Sequence, residues 1–529
     1  MKPVRILSDA SAFFRYLMGL PGFLKNPISP DEARRRVAGH IAARKDNFLR
    51  LLEHGVYANR RSPYRALLKH AGFDLAGVAS MLERDGIENA LAGLYSAGVR
   101  LSLEEFKGRR PIERPGLRLA VEAADFDNPL LSRHYDAGTG ASRGAGTRLL
   151  IDYDLLEHEA CSHALHISAF GLAERPAGLW RPVPPGVAGL KNILRHMKLG
   201  LRVERWFSQN RNLPDPRAMR YFTFTNSVLA ISRMIGRPLP APEHVPPDQA
   251  GKVAGWLAEK TRAGTPAYLD TTASAGVRVC RAAGALGLDI SGTFFRLGGE
   301  PLTPAKARVV AGAGCRAVCH YSMGETGHIG IACANGSAVD DVHLLPAKLA
   351  VIQREVVADK NGAKVNALIH TTVFPGCPKI MINVESGDYG VLENRSCGCP
   401  LDFPEMRQHL HTIRSYEKMT SEGMCFTGSE LLTLIEEVLP DRFGGAPTDY
   451  QFVEKEEGGR TIISIVVSPR VGPLDPEQLK SVVIKKLGSA TRAHALMAGL
   501  WEDGRVLRVE RREVYSSPAG KILPLRVEV

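Results

Sequence analysis

Apolar positions change their spacing twice along the chain. Between residues 31 and 58, Val37, Ile41, Phe48 and Leu51 recur at roughly helical intervals behind Pro30, Asp31 and Glu32. The two acids suit the positive end of a helix, so one helix is predicted there. A second helical pattern covers 63–71 and others continue to Gly98, making residues 1–115 mostly helical. From Leu117 onward short apolar or alternating runs separated by glycine take over. Residues 147–153, 367–374 and 379–385 read as strands, and 247–262 and 274–287 as helices. Strands alternating with helices predict an α/β domain with largely parallel sheets. After Arg414 the pattern shifts again: a helix over 429–438, strands over 450–456 and 461–468 around Gly458 and Gly459, a helix over 476–487 and a strand over 506–514. That is a compact α+β unit. The boundary falls near Ile413 and Arg414, giving a large domain over 1–413 and a small one over 414–529.

Composition narrows the class. The 529 residues are 44% hydrophobic and 23% charged, which suits a globular chain and excludes a disordered one. No repeat of solenoid period is present. The net charge of +12 comes from 68 basic against 56 acidic residues. The densest basic stretches, 34–36 and 191–205, have helical spacing and read as solvated helix faces rather than a nucleic-acid surface. Positive charge around a nucleotide polyphosphate is the simpler reading of the surplus. Nine cysteines form no even framework, so a reducing cytoplasm is expected. The apolar patch over 13–23 is broken by Arg15, Pro21 and two glycines, so neither a signal segment nor a membrane span is expected.

Four segments could carry chemistry. The turn over 137–144, with Thr139, Gly140, Ser142 and Gly144, offers backbone N–H groups to phosphate oxygens, though a surface loop has the same composition. It lacks the Gly-Lys-Ser/Thr of a P-loop. The run over 295–303, with Gly298, Gly299 and Glu300, precedes Tyr321-Ser-Met-Gly-Glu-Thr-Gly327. Glu325 in such a turn could hold Mg²⁺ or be a solvated loop acid, and Tyr321 could stack on a base or close a pocket. Asp388, after Gly387 at the expected end of a strand, could accept from two ribose hydroxyls or mark a plain turn. Lys521, in Ser517-Pro-Ala-Gly-Lys-Ile522, could swing a charge toward a phosphate or lie inert at the surface.

The order and spacing of these segments resemble the adenylate-forming superfamily, and within it the phenylacetate–CoA ligase-like branch. The stretch over 62–72 resembles an N-terminal segment of that branch. Residues 321–327 resemble the family's Tyr-Gly-x-Thr-Glu motif, and 385–390 its Thr-Gly-Asp-x-Gly motif. Arg414-Ser-Tyr-Glu-Lys, with Gly423, resembles its hinge, and 517–522 its catalytic-lysine motif. The resemblance implies that the 138–144 loop holds the β- and γ-phosphates and that Gly298 to Pro301 lie along adenine. It implies Mg²⁺ on Glu325, ribose on Asp388, Arg414 reaching the nucleotide, and Lys521 bridging the acid and the α-phosphate. An acid would join AMP with release of pyrophosphate, then pass to a thiol while the small domain swings.

Three positions depart from the pattern: Gly324 where a Thr hydroxyl is usual, Tyr416 in place of a hinge Asp, and Arg143 in the phosphate loop. Each removes about one hydrogen bond, roughly 0.5–1.5 kcal/mol. Cys397 and Cys399, with Cys333 and His343 upstream, could form a tetrahedral zinc staple or stay as buried thiols and a hydrogen-bonded histidine. Some members of the branch carry a comparable structural zinc. The acid pocket would draw on 268–276 and Phe294–Phe295, which suits an aromatic or other compact acid; His134 and Tyr135 could border it or simply pack. Expected partners are a small carboxylic acid, coenzyme A or a carrier-protein thiol, and a second copy of the chain, with neither nucleic acid nor membrane. The alternatives are acyl transfer to a carrier protein or amine, or a binding protein that senses nucleotide or acyl-CoA without turnover.

Overall fold

The computed structural model describes residues 3–138, 148–212, 219–299, 302–357, 364–415, 419–421, 424–426, 434–445, 449–457, 460–489, 501, 506–515 and 525–528. Its centre is a twelve-stranded sheet. Six strands run parallel, in the spatial order Pro242–His244, Val203–Ser208, Ala177–Trp180, Tyr268–Thr271, Phe294–Gly298 and Arg316–Met323. The other six, from Gly327–Ala332 through Val342–Leu344, Gln408–Ser415, Val384–Asn394 and Lys364–Thr372 to Leu349–Val357, are joined antiparallel. The expectation of a largely parallel sheet therefore holds for only half of it. Parallel neighbours need a helical crossover, whereas Met323 and Gly327 are linked by a tight turn that can only make a hairpin.

Alternation along the parallel strands separates two layers. Phe295 and Leu297 pack with Val253, Leu257 and Val279 on one face. Tyr268, Phe294 and Val318 pack with Ile167 and Leu172 on the other, under the helix Tyr153–Ala169. The mostly helical start is present as expected, but the single helix over 31–58 is not. Pro30–Ala42, capped by the Ser29 hydroxyl on the Glu32 N–H, breaks at Ala43; Arg44–Arg50 follows, then a π-helical Leu51–Tyr57. Helices Pro63–His70 and Leu75–Ser96 complete that layer.

The expected strand over 379–385 begins only at Val384. Asn383 is left-handed, with φ 51°, and its side-chain amide donates to the carbonyls of Leu91 at 2.8 Å and Val99 at 3.0 Å. This buried amide ties the N-terminal helices to the sheet and holds the chain out of a ladder until Val384.

The C-terminal unit carries a four-stranded sheet in the order Leu507–Arg511, Arg460–Val467, Tyr450–Glu457 and Leu525–Glu528, with helix Pro476–Ser489. Its own core gathers Tyr450, Phe452, Ile463, Ile465, Leu479, Val483 and Trp501. The expected helix over 429–438 is described only from Leu434, where it is a π-helical turn, and Gly458 and Gly459 lie outside the described residues. Among the described residues no helix is long and apolar enough to cross a membrane.

Asn383→Ala removes two buried hydrogen bonds and replaces a residue that tolerates positive φ with one that tolerates it less well. A loss of about 2–4 kcal/mol is expected in urea unfolding. A change below about 0.5 kcal/mol would mean that the amide does not tie the helices to the sheet.

Candidate functional site

The hairpin between Arg316–Met323 and Gly327–Ala332 carries Tyr321 and Glu325, and Tyr321 reaches Asp388. Tyr321 donates its hydroxyl to Asp388 Oδ2 at 2.8 Å. Burial, and then the Asp388 charge, pushes the Tyr321 phenol well above its ordinary value, so it remains a donor at neutral pH. Asp388 does not end a strand as expected. It lies inside Val384–Asn394 beside a register shift, and its N–H donates to the Ser386 hydroxyl at 3.2 Å. The irregularity lets the strand continue while presenting the carboxylate to Tyr321.

Glu325 is buried rather than solvated, and its carboxylate is bonded to Lys107, which follows the short helix Leu103–Phe106. Burial alone would raise its pKa, but Lys107 holds it below the usual carboxylate range. Burial also pulls the Lys107 ammonium below the usual lysine range. No sequence periodicity links positions 218 residues apart, and Lys107 had no local signal of its own.

Gly298 ends the Phe294–Gly298 strand, and a Cβ there would sit 2.3 Å from the His320 ring of the neighbouring strand. Gly299 has φ +89° and is exposed, so the turn needs glycine for its backbone. Arg414 lies in the Gln408–Ser415 strand with its guanidinium on Asp340 at 2.9 Å. Asp340 also accepts the N–H groups of Thr412 and Ile413, and Thr412 is left-handed with φ 54°. Thr303, beyond the glycine turn, donates its hydroxyl to Glu456 of the C-terminal sheet. Thr139, Gly140, Ser142, Arg143, Gly144, Glu300, Pro301, Tyr416, Gly423 and Lys521 lie outside the described residues. Gly324 lies in the hairpin turn, where it offers no hydroxyl.

Cys333, His343, Cys397 and Cys399 converge, their ligand atoms all lying within 4.8 Å of one another. His343 Nδ1 donates to the Met406 carbonyl at 2.8 Å, which turns Nε2 toward Cys399 Sγ at 3.2 Å and Cys397 Sγ at 3.7 Å. Burial holds the ring neutral, at about 4. An imidazole oriented through its other nitrogen and facing thiols is a soft-metal donor set. Cys333, Asp341 and His409 also lie close together, but Arg395 and His409 already engage Asp341.

Behind the site lies a layer of buried charge that the sequence reading missed. Asp270, in the Tyr268–Thr271 strand, accepts from Arg181 Nε at 2.7 Å, from Arg296 and from Asn192 at 3.2 Å. Glu159 accepts the His328 N–H at 2.8 Å and Lys348 at 3.1 Å, with Lys191 at 3.1 Å and Arg195 at 3.7 Å. Burial would raise both carboxyls, but these cations hold them far below the usual range. A Cβ on Gly327, whose φ is +78°, would fall 1.7 Å from Glu159, so the last glycine of the hairpin makes room for that carboxylate. The 191–205 stretch is a solvated face only at its end: Arg202 and Arg205 are exposed, whereas Lys191, Arg195 and Lys198 are all buried. A charge inside an apolar strand, as at Asp270 and Arg296, was the available signal. Residues 34–36, by contrast, are exposed or half-buried, as expected.

No protein-family model and no curated protein matches the chain. Solved structures do. The chain is similar to 2-hydroxyisobutyryl-CoA ligase captured with its acyl-adenylate and CoA in the thioesterification state, at 15% identity over 93% of this chain and 90% of that one, with a TM-score of 0.53. Weaker likenesses are to o-succinylbenzoate CoA synthetase from Bacillus subtilis (12% identity, 74% and 68% covered, TM-score 0.41) and to an amide bond synthetase from Marinactinospora thermotolerans (13%, 91% and 93%, TM-score 0.40). The chain has the fold of adenylate-forming enzymes, a large N-terminal α/β domain with a small C-terminal one.

The buried histidines set an acid limit on this layer. Burial first, and Arg195 or Arg296 second, hold His163, His166, His320 and His328 well below the imidazole value, and His196 at about 3. Their folded values lie below the unfolded one of about 6.5, so unfolding takes up protons. Their contribution is complete above that pH and is lost as pH falls toward the folded values. The urea midpoint should hold steady from pH 8 to roughly 7 and drop steeply below about 6. His196→Gln should reduce that slope by about one proton. A midpoint independent of pH down to about 5 would overturn the assignment of neutral buried rings.

Proposed function

We propose that this chain activates a carboxylic acid with ATP, forming an acyl-adenylate and pyrophosphate, and then passes the acyl group to a thiol, that of coenzyme A. The reading rests on one observation above the others: Tyr321 bonded to Asp388 beside the hairpin that carries Glu325, in the fold of adenylate-forming enzymes. The structural relative is a CoA ligase that forms an acyl-adenylate. The motif order supports a place in the phenylacetate–CoA ligase-like branch, with the swinging unit beginning near Arg414.

In this reading Asp388, oriented by Tyr321, accepts the ribose hydroxyls, and the Gly298–Gly299 turn lies along adenine. Adenylation brings two anions together, so positioning and charge neutralisation carry the catalysis. Glu325 is an ionised oxygen donor, which fits Mg²⁺. Such an ion would offset polyphosphate charge. Lys107 keeps the carboxylate oriented in the meantime. Lys521 supplies a cation to the acid and the α-phosphate, and Arg414, anchored on Asp340, guards the start of the small unit. The thiol then attacks the acyl carbonyl and AMP leaves.

The Cys333, His343, Cys397 and Cys399 set fits a structural zinc, since four protein ligands leave no open position. It would staple the loop over 395–407 to the sheet.

Pyrophosphate release from ATP across a panel of acids tests the activity. Acid-dependent release is expected, and ATP binding without release from any acid would overturn it in favour of a sensor. Lys521→Ala should suppress acyl-AMP formation at least about a hundred-fold while sparing thioester formation from supplied acyl-AMP. Equal loss in both half-reactions would remove Lys521 from its assigned role. Elemental analysis of the purified protein should find one zinc per chain, lost in Cys399→Ser together with thermal stability. Native protein without zinc would leave the set as plain thiols.

A further inference from the structure

The charge layer under the glycine turn does not balance. Five cations, Arg181, Lys191, Arg195, Arg296 and Lys348, are each at least nine-tenths buried, and only two carboxylates, Glu159 and Asp270, are buried with them. Three positive charges are left over among the described residues. The histidines packed against them cannot offset this, because an imidazole is at best neutral. Desolvating a cation without a counter-charge costs more than packing returns.

The surplus also has open bonding capacity. Arg195 and Arg296 are each 1% exposed, and the Nε of each has no hydrogen-bond partner among the described residues. Both guanidiniums converge on His328 Nε2, at 2.6 and 3.0 Å. Two like charges drawn to one neutral nitrogen are a poor final arrangement and a good receptor for an anion.

The layer sits where a ligand arrives. Arg296 and Asp270 lie on adjacent parallel strands, and Arg181 directly follows a third. In open α/β sheets ligands bind at the carboxyl ends of such strands. Arg181 Nη1 bonds the Gly298 carbonyl at 3.2 Å. Among the described residues, a Cβ on the exposed Gly299 would meet only Arg181 Nη1 at 3.7 Å and the Thr272 methyl at 4.0 Å. Arg181 thus joins the glycine turn to the layer, since Asp270, its carboxylate partner, also accepts from Arg296.

We propose that the acid taken by this site carries a second anionic group, a distal carboxylate, which Arg195 and Arg296 receive behind Arg181. The inference rests on the adenylating function and names its substrate class: a dicarboxylic acid rather than a simple aromatic or aliphatic one. One carboxylate is then activated while the other satisfies the buried surplus.

The test uses the full-length protein and a set of short-chain and aromatic dicarboxylic acids, each beside its monomethyl ester. The ester keeps the reacting carboxyl and the length but removes the distal charge. The best dicarboxylate should release pyrophosphate with kcat/KM roughly a hundred-fold or more above its ester. Arg195→Met should collapse that ratio toward one, and Arg195→Lys should restore part of it, mainly through KM. Arg296→Met is the second variant should Arg195→Met fail to fold. Esters or simple monocarboxylates matching the dicarboxylates would overturn the proposal while leaving the adenylating function intact. If no acid releases pyrophosphate, thermal shift without ATP decides: a rise in Tm with the dicarboxylates alone supports the anion site, and equal shifts with the esters, or none, overturn it.

Discussion

Glu159 and Asp270 hold five buried cations between the parallel strands and two helices, and the site loops are fixed relative to that layer. Glu159 binds the N–H of His328, at the start of the strand that returns from the hairpin. Gly327 is shaped around its carboxylate. Asp270 binds Arg181, whose other nitrogens hold the carbonyls of Thr271 and Gly298. The hairpin and the glycine turn are therefore both held by charge as well as by apolar packing. Breaking one member of such a buried group costs on the order of 3–5 kcal/mol, because its partners stay behind unpaired.

The change from parallel to antiparallel pairing at the Arg316–Met323 strand produces the rest of the geometry. A crossover there would have carried Glu325 away on a helix. The hairpin keeps it at the sheet, where Lys107 reaches it from the helical N-terminal segment. The antiparallel half then brings back the Val384–Asn394 strand, whose irregularity turns Asp388 to Tyr321. Next to it the Gln408–Ser415 strand is gripped at Thr412, Ile413 and Arg414 by Asp340. A left-handed residue and a fixed arginine thus hold this strand firmly at its end.

The cysteine and histidine set works in the same direction. Its ligands come from the end of one strand, the middle of another and a loop, which apolar contacts with Ile331, Leu345 and Met406 bring together. The backbone carbonyl of Met406 chooses the histidine tautomer, and the Leu401 N–H points at Cys399 Sγ. Such second contacts hold a donor set in readiness.

Local spacing determined what depends only on neighbours in the chain. The helical N-terminal segment, the α/β alternation, the small α+β unit and the Cys-x-Cys pair could all be read from periodicity and motif order. So could the exposure of residues 34–36. Tertiary structure alone decided the pairing of Lys107 with Glu325, the interior position of Asp388 in its strand, the mixed sheet and the burial of Lys191 and Arg195. The physical reason is that periodicity reports which face of an element is apolar. It cannot report that a polar face meets opposite charge from a distant part of the chain, and that meeting decides whether a charged residue lies in water or in the core.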